Sequence, residues 1–157
     1  VEESINNSRT EYSTALKYVL MKRHLSYEEY RDYVFPEIDY DGILKKDENI
    51  IKLLESINKP LFIMSNGTKE HVKKTLTTLG IEHLFKAVFY LGYDSNNYVG
   101  KPDVEAYQLV EQLTNARKIY FFDDKERNTS VTLSPKWSCH VTTYENIHNR
   151  LREVLMN

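Results

Sequence analysis

An α/β fold with a doubly wound parallel sheet is predicted by three features of the 157-residue sequence. The first is a short apolar run, residues 60–64, that stops in small polar residues before a segment with helical spacing. The second is the continuous aromatic-rich run 118–122, which is typical of a strand buried on both faces and ends in two adjacent carboxylates. The third is the alternation of such runs with amphipathic segments, the order from which parallel sheets are built.

Two helices are predicted before the first of these strands. The first has one apolar face, formed by Tyr12, Ala15, Leu16, Val19 and Leu20. The second begins at Ser26, where Glu29 completes a capping box, and it ends before Pro36. We therefore expect a small helical cap region over residues 1–46 and an α/β core over residues 47–157.

The core elements follow in order along the chain. Thr68 is predicted to open a helix that Gly80 ends. Further strands are expected at 87–91, 118–122 and 140–143. The remaining helices are marked by apolar residues at helical spacing: Ile50, Ile51, Leu54 and Ile57; Val104, Tyr107, Val110 and Leu113; Ile147, Leu151, Val154 and Leu155.

The composition is that of a globular protein and argues against several functions. Hydrophobic residues make up 41% of the chain, and the formal net charge of -2 argues against a broadly basic nucleic-acid-binding surface. The single cysteine, Cys139, cannot form an internal disulfide and suits a reducing compartment. Since no apolar run approaches the length of a membrane span, we expect a cytoplasmic protein without a membrane partner.

Polar residues stand where two predicted strands end and where a helix begins. They are Ser65, Asn66 and Gly67 after the first strand, Lys101 before a helix, and Asp123 and Asp124 after the aromatic-rich strand. In open α/β sheets ligands bind beyond the carboxyl ends of the strands, so these residues are expected to face one crevice. A hydroxyl and backbone amides can hold a phosphate, a lysine can neutralise it, and paired carboxylates can hold Mg²⁺.

Each of these signals also has a purely structural interpretation. The Ser-Asn-Gly sequence at 65–67 can be only a turn, and Lys101 before Pro102 can be only a solvated helix start. Asp123 and Asp124 are more specific, because adjacent carboxylates repel each other unless they are solvated or bound to a cation. The order of all three signals along the chain favours a magnesium-dependent phosphate site.

The same order resembles the haloacid dehalogenase (HAD) superfamily, and within it the pyrimidine 5'-nucleotidase-like branch. The resemblance rests on Ser65-Asn66, on the segment from Leu79 to Phe85, on Lys101-Pro102, and on Asp124 followed by Asn128. It implies a Rossmann-like core with a small helical cap, Mg²⁺ as cofactor, and a nucleoside monophosphate or another small phosphoester as substrate. It also implies phosphate-binding roles for Ser65, Asn66, Gly67 and Lys101, catalytic roles for Ser65 and Lys101, and metal-binding roles for Asp123, Asp124 and Asn128.

One part of the family pattern is missing from the sequence. The resemblance implies that the nucleophile is an aspartate in an Asp-x-Asp pattern at the end of the first, central strand. Asp39 and Asp41 have this spacing, but the preceding Pro36 argues against a buried strand there. A sheet without its middle strand leaves two unpaired edges and an open apolar cleft, which we expect a segment preceding Val1 to fill.

Two functions therefore stay open at this point, and the sequence does not decide whether the chain is an enzyme. In the first, the missing strand supplies the aspartate and the protein resembles a magnesium-dependent nucleoside monophosphate phosphatase. In the second, the nucleophile is truly absent and the scaffold is a binding or regulatory module, for example on RNA or the ribosome.

Overall fold

A computed structural model describes residues 15–23, 26–34, 38–93 and 98–156 of the chain. The α-helices are α1 (Ala15–Arg23), α2 (Tyr27–Val34), α3 (Tyr40–Ile43), α4 (Glu48–Ser56), α5 (Lys69–Leu79), α6 (Val104–Thr114), α7 (Glu126–Thr129) and α8 (Ile147–Leu155). The strands are β1 (Leu61–Met64), β2 (Phe85–Phe89), β3 (Ile119–Asp123) and β4 (Trp137–Val141), and a 3₁₀ turn spans Glu82–Leu84. The alternation of strands and helices confirms the predicted α/β class.

The four strands form two separate parallel pairs. β1 pairs with β2, where Leu61 lies opposite Phe85, and β3 pairs with β4, where Ile119 lies opposite Trp137. The predicted bounds of β2 and β4, 87–91 and 140–143, were wrong because each strand begins where its partner provides backbone hydrogen bonds. The expected burial of β3 on both faces was also wrong, since Tyr120 is 37% exposed.

An apolar slot separates β1 from β3. It is a cavity of about 540 Å³ lined along both strands, by Leu61, Phe62, Ile63 and Met64 and by Ile119, Tyr120, Phe121 and Phe122. Its other walls include Val110 of α6 and Leu151 of α8. Among the described residues no strand lies between the two pairs, so the predicted gap in the middle of the sheet is present.

The capping residues predicted from the sequence lie at the ends of their helices in the structure. Thr68 Oγ1 accepts a hydrogen bond from the His71 N–H at the start of α5, and Gly80 ends that helix with a φ of 72°. The Ser26 N–H donates to Glu29, and the Glu29 N–H donates back to Ser26 Oγ, at 2.8 and 3.1 Å. The predicted contributions of Tyr12 and Pro36 lie outside the described residues.

The helices α1 and α2, called the cap helices below, pack against the loop that follows β2. Leu20 and Tyr27 of the cap helices form a buried cluster with Leu91 and Tyr93. Across the described ranges, no helix combines the length and apolar character needed to cross a membrane.

A second cluster lies beneath β3 and is centred on Tyr107, which is fully buried. Its ring makes edge contacts with Phe121 and Trp137 at centroid distances of 5.7 and 5.3 Å. Its hydroxyl donates to the Asn128 carbonyl at 2.6 Å. Trp137 packs against this cluster, and Tyr107 ties the aromatic core to α7.

Replacing Tyr107 with Phe should lower the free energy of unfolding by about 1–2 kcal/mol, because it leaves the Asn128 carbonyl without its donor. The matched control is Tyr144→Phe, which alters a side chain that is 78% exposed and should change stability by less than about 0.5 kcal/mol. Urea unfolding of both variants measures the difference. Equal effects would mean that the Tyr107 hydroxyl contributes nothing.

Candidate active site

Lys101 is the centre of the site and joins the ends of the two strand pairs. Its Nζ donates to the Met64 carbonyl at 2.7 Å and to Asp123 Oδ2 at 2.6 Å. Met64 is the last residue of β1 and Asp123 the last of β3. The carboxyl ends of β1 and β3 therefore lie side by side, and the two strands flank the slot in the same direction.

The backbone of Lys101 is clamped by Asn66. The Asn66 side chain accepts from the Lys101 N–H at 2.8 Å and donates to the Lys101 carbonyl at 2.6 Å. Gly100 allows this close approach, since a Cβ at that position would lie 2.4 Å from Leu91 Cδ2 and 2.8 Å from Asn66 Oδ1. The side chain of Asn66 thus orients the lysine, an arrangement that the expected phosphate-binding role did not include.

Ser65 lies in a tight turn between β1 and α5. Its Oγ accepts a hydrogen bond from the Gly67 N–H at 3.0 Å. Helix α5 begins two residues after Gly67, and its N-terminal amides carry partial positive charge. The turn therefore combines a hydroxyl with a helix N-terminus, which is favourable for an anion.

Asp123 is buried, and both of its carboxylate oxygens accept hydrogen bonds. Its Oδ1 accepts from the Lys125 N–H at 2.9 Å and from Asn128 Nδ2 at 2.8 Å, while Oδ2 faces Lys101. Burial raises the pKa of Asp123, but the hydrogen bond and charge of Lys101, with the two N–H donors, outweigh burial and leave the pKa below its usual value. Asp123 is therefore an anion that holds Lys101 in place.

Asp124 and Asn128 offer further oxygens beside this pair. Asp124 is exposed, directly after Asp123. Asn128 is only 3% exposed, and its Oδ1 is buried without a hydrogen-bond partner among the described residues. An orphaned buried oxygen next to carboxylates is a feature that a cation or an ordered water would satisfy.

These few oxygens suit Mg²⁺, which completes its shell with water and phosphate, and they are too few for a metal bound by protein ligands alone. Among the described residues no three His, Cys, Asp or Glu side chains form a metal-binding group. Mg²⁺ characteristically takes one or two carboxylates and completes its shell with water and substrate phosphate. Asp124 and the free Asn128 Oδ1 are the protein oxygens left for such an ion, because both oxygens of Asp123 already accept hydrogen bonds.

His71 and Tyr40 border the site and were not predicted to do so. A Cβ on Gly67 would lie 3.0 Å from His71 Cδ2, so the imidazole lies against the Ser65 turn. His71 Nδ1 is 2.8 Å from the Tyr40 hydroxyl, and burial lowers the pKa of His71 below its usual value. The only sequence signal was the position of His71, one helical turn after Gly67.

The Asp39-Tyr40-Asp41 sequence lies at the start of the short helix α3. Asp39 caps the short helix α3 by accepting from the Gly42 N–H at 2.9 Å, and Asp41 is exposed. In the described part of the chain, no strand ends in an Asp-x-Asp pattern.

Lys101, Asp123 and the Ser65 turn lie together at the carboxyl ends of parallel strands, where proteins with open α/β sheets bind their ligands. The sequence matches the model of the haloacid dehalogenase-like hydrolase family over residues 8–129, and the chain belongs to that family. The predicted resemblance to the HAD superfamily is therefore confirmed, and the pyrimidine 5'-nucleotidase-like branch stays a prediction.

The chain is also similar to a yeast protein. It is 28% identical over 150 residues to "Phosphate metabolism protein 8" of Saccharomyces cerevisiae, a match that covers 85% of this chain and 46% of that protein. The chain thus spans about half the length of the curated relative it matches.

Proposed function

We propose that this chain carries the phosphate- and metal-facing side chains of a phosphomonoester hydrolase, with nucleoside monophosphates or similar small phosphoesters as substrates. The observation that carries the proposal is the placement of Lys101 Nζ between the Met64 carbonyl and the Asp123 carboxylate, beside Ser65. The name of the yeast relative, which refers to phosphate metabolism, supports the same chemistry.

Ser65 and Lys101 would bind the phosphoryl group. Ser65 Oγ accepts a hydrogen bond from the Gly67 N–H through a lone pair. Its own proton is therefore still available for donation to a phosphoryl oxygen. Lys101 uses two of its three N–H donors on Met64 and Asp123, which leaves the third for the phosphoryl group. Its buried charge would stabilise negative charge that develops in the transition state.

Asp124 and the free Asn128 oxygen would hold Mg²⁺, and Asp123 would lie beside them as the partner of Lys101. When bound, the ion neutralises phosphoryl charge and orients the ester. Since Asp123 is committed to Lys101, Asp124 is the carboxylate available for direct coordination.

The attacking carboxylate would come from one apolar strand in the slot. Such a strand, parallel to β1 and β3, would join the two pairs into one continuous sheet and end between Ser65 and Asp123. The match covers only 46% of the yeast relative. A full-length protein of that size would have room for the additional strand. The terminal aspartate of that strand would attack the phosphorus, and the bond to the ester oxygen would break as the leaving alcohol takes a proton from water. A second water molecule would then hydrolyse the aspartyl-phosphate, releasing phosphate and restoring the carboxylate.

Hydrolysis of nucleoside monophosphates in the presence of Mg²⁺ tests this proposal on the protein purified from its source. Asp124→Asn and Ser65→Ala should each lower kcat by about 10²–10³-fold, the effect of removing a group that stabilises transition-state charge. Asp39→Asn is the control, because Asp39 only caps α3 and its replacement should leave turnover unchanged.

The alternative outcomes are distinct. Turnover that is insensitive to Asp124→Asn would contradict the assigned metal site. Loss of turnover in Asp39→Asn would move the nucleophile to that residue. If the purified protein does not hydrolyse phosphoesters but binds inorganic phosphate through Ser65, the site serves binding alone.

A further inference from the structure

The cap helices pack directly behind the loop that carries Lys101. Leu20 of α1 and Tyr27 of α2 share a buried cluster with Leu91 and Tyr93. Leu91 in turn lies so close to Gly100 that a side chain at that position would force Leu91 or Asn66 to shift. Movement of the cap helices would therefore shift the contact between Leu91 and Gly100, the residue that precedes Lys101.

Tyr27 connects the cap helices to the start of α5, on the Ser65 side of the site. It is 7% exposed, its hydroxyl donates to Glu70 Oε2 at 2.5 Å, and its ring stacks on Tyr93 at 6.0 Å and 17°. Burial first, and then the hydrogen bond to Glu70, raise the pKa of Tyr27 to about 12, so the phenol keeps its proton at neutral pH. Glu70 lies in the first turn of α5.

Tyr93 continues this connection to the lysine. Its hydroxyl donates to the Asn66 carbonyl at 3.3 Å. The side chain of Asn66 then holds both backbone polar groups of Lys101. Contacts thus run without interruption from Tyr27 through Tyr93 and Asn66 to Lys101.

A second tether joins α1 to the other end of the same loop. Lys17 Nζ lies 3.4 Å from Asp103 Oδ2, which also accepts from the Gly100 N–H at 3.1 Å. Asp103 precedes α6 and follows Lys101 by two residues. The loop is consequently held by the cap helices on both sides of the lysine.

We propose that Tyr27 is a positioning residue: the seating of the cap helices sets the position of Lys101 through Tyr93 and Asn66. When Tyr27 leaves its place between Glu70 and Tyr93, the clamp on Lys101 loosens. Only the consequence for phosphate binding rests on the proposed function, and the coupling between the cap helices and the lysine does not. A ligand that presses on the cap helices would thereby tune the phosphate site.

Amide hydrogen exchange, followed by NMR on the full chain, tests the coupling. In Tyr27→Ala the Lys101 amide, whose acceptor is Asn66 Oδ1, should exchange about tenfold faster, as expected for loss of roughly one net hydrogen bond. The ladder amides of β3 and β4 should keep their rates. Tyr27→Phe, which keeps the stacking but loses Glu70, should give a smaller increase in the same direction.

Tyr33→Ala is the matched control, because Tyr33 lies on the same helix and is 82% exposed. An unchanged Lys101 rate in Tyr27→Ala would overturn the proposal. Equal acceleration in β3 and β4 would also overturn it, since that result reports general destabilisation. Coupling without any binding of inorganic phosphate would keep this inference and reject the proposed function.

Discussion

Lys101→Met is expected to lower the free energy of unfolding by about 3–5 kcal/mol, because it leaves a buried carboxylate without its counter-charge. Lys101 and Asp123 are each 8% exposed, and the 2.6 Å contact between them is the shortest ion pair among the described residues. The loss also removes the link between the ends of β1 and β3. The same substitution should abolish phosphate binding, since no other described lysine occupies that position.

Two further variants separate the charge effect from the general effect of changing a lysine. Lys73→Met, on the exposed side of α5, should change stability by less than about 0.5 kcal/mol. The double variant Lys101→Met/Asp123→Asn should recover part of the loss, because the uncompensated charge is then gone. Urea unfolding measures all three. A cost below about 1 kcal/mol for Lys101→Met would show that the pair does not stabilise the fold.

Features that depend on nearby residues were predicted well from the sequence. Thr68 and Gly80 bound α5, and Ser26 with Glu29 forms the capping box, because each cap is satisfied within one turn of the chain. Lys101, by contrast, was placed at the site by its order among the motifs.

Features that depend on distant partners were predicted less well. β2 begins at Phe85 and β4 at Trp137 because these residues pair with β1 and β3. The hydrophobic pattern of a single strand contains no information about where its neighbour begins to pair. The burial of Tyr120 was also overestimated. This residue lines the slot, and no strand among the described residues covers it there.

The prediction of the site divides in the same way, between features set by the local sequence and features set by distant partners. Residue types and order were enough to select Ser65, Lys101 and Asp123, which the fold brings together. The clamp that Asn66 places on Lys101 could not be found that way, because it joins residues 35 positions apart. The stacking of Tyr27 on Tyr93 is likewise a product of the packing of the cap helices.

Filling the slot between β1 and β3 with one apolar strand is expected to stabilise the protein strongly. A synthetic peptide of about five valine and isoleucine residues, flanked by lysines, is long enough to pair with both edges. At about 100 times its dissociation constant it should raise the free energy of unfolding by about 2.7 kcal/mol. Thermal unfolding, together with new protection of the Phe62 and Phe122 amides from exchange, measures the effect, because the amides of Ser65 and Ile119 face β2 and β4 and backbone direction alternates along each strand.

The same peptide with proline at its centre is the control, because proline removes a ladder hydrogen bond and is excluded from central strands. Only the proline-free peptide should stabilise the chain, and Ile63→Lys, which places a charge in the slot wall, should weaken its effect. Protection confined to the outer edges of β2 and β4 would mean that the peptide extends the sheet at its margins. That outcome would contradict the proposal that the slot receives the strand, since both inner edges would remain open while an apolar strand was available.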